Sequence, residues 1–243
     1  MTDLSCAALD AALTDLLKLS VPAIGISFLA EAPADPPRPG GTMPAPRPDG
    51  RTGAVPASCV FWTIAPVRSF TTLAADHANC SVGSVTHGFK TLAEVAGNED
   101  VAALIGAHWV TEADAAALPA VARKPGAVLY QPLAVATALP DVVFLRLNGK
   151  QLMLMHDAWP ELRFEGKPQC HIIPIAKEQD AVAVSSGCML SRVRTGMSNN
   201  DVTCAIPGAR LAEVVARLRT AQAADLAVAA YAATDAKRFD TAS

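Results

Sequence analysis

The chain has 243 residues, 51% of them hydrophobic and 18% charged, with a formal net charge of -3. That is enough apolar material for one substantial core. The 20 Lys and Arg are scattered rather than gathered into the basic surface that phosphate binding requires, and no window approaches the roughly 20 apolar residues of a membrane-spanning helix, so neither nucleic acid nor a membrane is an expected partner.

The N-terminal "MTDLSCAALDAALTDLLKLS" lacks a basic region followed by an unbroken apolar run, so it does not read as a signal peptide, and a cytoplasmic protein is expected. Within it Leu4, Ala8, Ala11, Ala12, Leu16 and Leu19 recur at helical spacing, predicting an amphipathic helix over 4–19. Ile24, Ile26 and Phe28 alternate and predict a strand near 24–29. Residues 32–54 are dominated by proline and glycine and read as an inserted loop or flap, not a linker between domains. A short helix near 58–66, a strand near 68–73 and a helix near 98–107 follow. Thr111 with Asp114 offers a cap before "AAALPAVA". Strands are predicted near 127–133, 141–147, 181–186 and 201–206, with helices near 149–157 and 208–222. "CHIIPIA" reads as the start of another helix despite Pro174. The expectation is one compact α+β domain over 1–223, a central mixed β-sheet covered by helices, with 224–243 as a C-terminal helical tail.

Six cysteines are present: Cys6, Cys59, Cys80, Cys170, Cys188 and Cys204. Without an export signal, reduced thiols, metal ligation or buried core positions are better readings than disulfides. Cys59, Cys80, Cys170 and Cys188 each sit beside a turn or an element boundary, where loops converge. Cys204 lies on a predicted strand and reads as a structural thiol, and Cys6 as incidental. The spacings among the four match no compact metal motif, so on spacing alone burial as small hydrophobes stands beside ligation.

The segments "SCVFWTIA", "DHANCSVGSVTHG", "GKPQCHIIP", "SSGCMLSRVRTGM" and "DVTCAIPG" together resemble an uncharacterised archaeal cysteine-rich family, domain of unknown function 169, from about Leu13 to Leu218. The proline-rich 32–54 departs from that pattern. The resemblance implies that Cys59, Cys80, Cys170 and Cys188 form one site, expected to hold a [4Fe–4S] cluster with a redox or small-substrate-activating role. Structural zinc or copper(I) in a non-enzymatic structural, carrier or sensor protein is the alternative, and a disulfide between two of the four remains open. Near such a centre His77 and His171 are candidates for proton transfer, with His87 beside them, and Arg192 and Arg194 for substrate or thiolate charge. Gly83 would let the backbone pass close to the centre. Met153, Met155, Met189 and Met197 read as core residues rather than copper ligands. A small-molecule substrate or redox partner, and a homo-oligomer, are the expected associations.

Overall fold

The structure, a computed structural model, describes residues 5–39, 57–165 and 168–235. The predicted proline-rich insertion is described only up to residue 39, so most of it lies outside the described residues. The fold is a single α+β domain, 48% helical and 16% strand.

Helix α1 (Cys6–Leu17) starts where Ser5 accepts a hydrogen bond from the Ala8 N–H, and it stops at Lys18, whose left-handed backbone returns its N–H to the Thr14 carbonyl. Its buried face is Cys6, Leu9, Leu13, Leu16 and Leu17; of the predicted stripe Leu16 is buried, Ala12 and Leu19 are half-buried, Ala8 and Ala11 face solvent, and Leu4 lies outside the described residues. A leucine side chain removes far more apolar surface from water than alanine, so the leucines set the rotation of the helix. Cys6 is therefore a core residue, its thiol within 3.5 Å of the Ala138 carbonyl. Strand β1 (Ile24–Leu29) follows, then α2 (Ser58–Ile64), β2 (Phe70–Thr72), α3 (Ser81–Thr86), α4 (Glu99–Gly106) and α5 (Glu112–Ala116). Thr111 and Asp114 form the expected capping box at the start of α5.

The rest of the chain supplies β3 (Ala127–Pro132), β4 (Val142–Leu147), α6 (Gly149–Ala158), β5 (Arg163–Glu165), α7 (Ile172–Gln179), β6 (Ala183–Ser185), α8 (Met189–Thr195), β7 (Val202–Pro207) and α9 (Leu211–Asp235). The helix predicted for 208–222 opens instead as a 3₁₀ turn over Gly208–Arg210 and runs on unbroken to Asp235. Strand β5 was not foreseen, because three residues are too few to carry a period.

The strands form one sheet in the order β2-β3-β1-β4-β7-β6-β5, antiparallel throughout except for β5 against β6. Central β4 explains its own composition. Val143, Leu145 and Leu147 enter a core built with α1, α6 and α9, while Val142 and Phe144 enter a second core on the opposite face. That second core holds Phe61, Trp62, Tyr130, Ile172 and Ile175 together with Cys59, Cys80 and Cys170. Cys204 is fully buried in the first core, as its place on a strand predicted. The methionines divide: Met155 and Met197 are buried, but Met153 and Met189 are exposed. Among the described residues no helix is long and apolar enough to cross a membrane.

Candidate metal centre

Four distant segments bring their cysteines to one cavity on the second face of the sheet. Cys59 is the second residue of α2, Cys80 and Cys188 precede the first turns of α3 and α8, and Cys170 sits in a 3₁₀ turn, Gln169–His171, leading into α7. The cysteines thus ride on helix starts, where backbone N–H groups lack intrahelical acceptors. At Cys188 the amides of Ser191 and Leu190 lie close enough to lower the thiol's pKa against the effect of burial. The cavity itself is small, about 20 Å³, and Ser58, Gly83, Gln169, Ser191 and Arg194 share its wall with the thiols. All six cysteines are free thiols, so no disulfide joins any of the four.

Proximity is visible in the electrostatics. Burial pushes the Cys59 thiol up to about 12, helped by Cys80 and Cys188 and opposed by the Ser191 hydroxyl. Burial also raises Cys170, with Cys80, Cys188 and Cys59 adding to the shift, and it raises Cys188. Charging several of these sulfurs at once is costly unless a cation compensates. Among the described residues one cation lines the cavity, Arg194: although burial works against its charge, the Cys80, Cys59 and Cys188 sulfurs nearby outweigh that and raise its pKa. Among the described residues its buried Nη1 has no hydrogen-bond partner.

Gly83 has no need of an unusual backbone angle. A Cβ there would lie 3.0 Å from Ser58 Oγ and 3.6 Å from Cys80 Sγ, so glycine leaves open a cradle that a side chain would fill. Behind this wall lies a buried polar network. Val128 can only accept, so Thr72 donates to its carbonyl at 3.2 Å; Thr72 must then accept from His77 Nε2–H at 3.0 Å. His77 Nδ1 is left as an acceptor, and Ser58 donates to it at 3.0 Å. His87 donates from Nδ1 to the Gly83 carbonyl at 3.0 Å, leaving its buried Nε2 without a partner. Burial holds His77 well below the ordinary imidazole range and His87 at about 4.

The candidate side chains named from sequence are therefore placed unequally. His77 does not line the cavity and reaches it only through Ser58. His171 turns into a neighbouring apolar pocket rather than toward the thiols. The 169–171 segment is a 3₁₀ turn, so it is not strand alternation that separates His171 from Cys170. Arg192 stands outside the cavity wall: it donates to the carbonyls of Ser198, Ser186 and Asp201 and ties the α8 region to β7. Its neighbour Arg194 occupies the cavity instead. Ser58, Gln169 and Ser191 line the cavity without having been expected there. Ser191 and Arg194 follow Cys188 at intervals of three, and reading 189–195 as a helix would have put all three on one face.

Among the described residues no group of three or more His, Cys, Asp or Glu side chains that could hold a metal ion is found. The donor set nonetheless fits a thiophilic centre in kind: four thiols, a glycine cradle and one buried cation around a common space. A family profile described as DUF169, "Uncharacterised ArCR", matches residues 12–217. No curated protein and no solved structure matches the chain.

Proposed function

The chain belongs to the DUF169 family of uncharacterised ArCR proteins, and from that premise we propose that Cys59, Cys80, Cys170 and Cys188 hold a [4Fe–4S] cluster in a redox or small-substrate-activating role. The observation that carries this reading is the convergence of four thiols from four separate segments on one cavity walled by Arg194. Thiolates suit zinc and copper(I) as well as an iron–sulfur cluster, so elemental analysis decides which metal the site takes.

When bound, such a cluster supplies one-electron transfer or a site for a small substrate. The chain's own residues supply the surroundings. Arg194 lies beside the sulfurs and offsets thiolate charge, the Ser191 hydroxyl favours the Cys59 thiolate, and the Leu190 and Ser191 amides at the start of α8 favour that of Cys188. His77 fixes Ser58 through a hydrogen bond whose direction is set by the Val128 carbonyl two links away. The apolar core around α2 and α7 keeps water from the sulfurs.

Anaerobic purification followed by visible absorption and iron, sulfide, zinc and copper analysis tests the reading. Brown protein with iron and sulfide is expected. Zinc or copper without iron would replace the cluster by the alternative of a non-enzymatic structural, carrier or sensor protein on the same thiolates. Colourless, metal-free protein with all four thiols freely titrating would remove the centre altogether.

A further inference from the structure

Beside the cysteine cavity lies a second, partly open pocket, about 40 Å³ and about twice the size of the first. Val82, Leu104 and Pro168 line both, so the two spaces share a wall. The far side of the second pocket comes from α4, α5 and the turn between them. These helices are poorly anchored: Val101 is the one buried residue of α4, and α5 has none. Their apolar side chains, Leu104 and Val110 among them, are half-buried and face the pocket instead of a packed core. An apolar occupant would complete that packing.

Among the described residues the wall carries two polar side chains, Asp114 and His171. Asp114 Oδ2 already accepts from the Thr111 amide and hydroxyl in the α5 cap. His171 Nε2 is buried and has no hydrogen-bond partner among the described residues. Among them no Lys or Arg lines the pocket, and Asp114 would repel an anion.

We propose that this pocket binds an uncharged, mainly apolar small molecule whose single polar group hydrogen-bonds to His171, presented next to the thiol cavity. As the site of a substrate it rests on the reading of that cavity as a reactive centre; as a binding site it does not. His171 is a ligand-positioning residue here, and the Val82–Leu104–Pro168 wall is the route by which the ligand would approach the sulfurs.

Calorimetric titration of the full chain with phenol, benzene and benzoate tests it. Phenol should bind saturably, benzene more weakly, and benzoate at least roughly tenfold more weakly than phenol. Val110→Trp and Ala115→Trp, which fill the pocket away from the cysteines, should each weaken phenol by roughly tenfold or more. His171→Phe should abolish the preference for phenol over benzene while benzene still binds. Absence of saturable phenol binding, equal binding of benzoate, or undiminished phenol binding in either filled variant with a native circular dichroism spectrum would overturn the proposal. The same titrations on the anaerobically purified wild-type chain, with its metal content measured, separate the two readings. Phenol binding by a wild-type chain that carries no metal leaves the pocket standing and sinks the centre. Metal present with no phenol binding does the reverse.

Discussion

Gly83 is the residue whose chemistry is most legible and least replaceable. Its missing side chain leaves the space between Ser58 and Cys80. Gly83→Val should lower the metal content of anaerobically purified protein severely, with a folding cost of about 1–3 kcal/mol from overpacking. Metal content unchanged in the variant would show that the cradle is not used. Cys80→Ser should lose most of the metal, whereas Cys6→Ser, in the other core, should keep it. The two arginines of α8 should part company in the same way. Arg192→Met removes hydrogen bonds to three carbonyls and should cost about 2 kcal/mol in urea unfolding while sparing metal. Arg194→Met should spare stability by comparison and weaken metal retention, because it removes the cation beside Cys80, Cys59 and Cys188.

At the scale of elements, the sheet and its first core hold the fold while short helix starts hold the site. Leu13→Ala in α1 or Leu145→Ala in β4 should each cost about 2–5 kcal/mol, since both residues are within 1% of full burial. Helix α9 divides along its length. Its buried residues, Leu211, Val214, Val215 and Leu218, all fall in the first half, and Leu226, Val228 and Tyr231 are exposed. Removing residues from 224 onward deletes the Lys150–Asp225 ion pair, worth under about 1 kcal/mol at a surface, so the truncated chain should melt close to the full one. A collapse of the melting temperature would show that the second half packs against something more than solvent.

For the whole molecule the buried imidazoles set the acid limit. His77 and His87 are neutral in the fold, His87 with a pKa of about 4 against the ordinary 6.5. The unfolded chain binds protons below pH 6.5 that the fold refuses, so stability is full above that value and falls as the pH drops toward 4. Each histidine contributes a slope of up to about 1.4 kcal/mol per pH unit in this window. Urea midpoints measured from neutral pH downward should therefore decline steeply, and His87→Phe should flatten the decline. A midpoint independent of pH across the window would mean that these rings are not buried neutral.

The sequence by itself determined the α+β class, the position of most strands and helices, and which four cysteines stand apart from Cys6 and Cys204. These are local matters: alternation marks strands such as Ile24–Leu29, a Thr–Asp pair caps a helix at 111, and glycine beside a cysteine marks an element boundary. Resemblance, not spacing, joined the four cysteines, because Cys59 and Cys188 are brought together only by α2 packing against α8. Tertiary structure decided everything that depends on direction. It turned α1 onto its leucines, exposed Met153 and Met189, set His77 behind Ser58, and faced Arg194 rather than Arg192 to the thiols. A residue's type can be read from the chain, but the side of the helix it faces at a shared cavity is fixed by what the other segments bury against it.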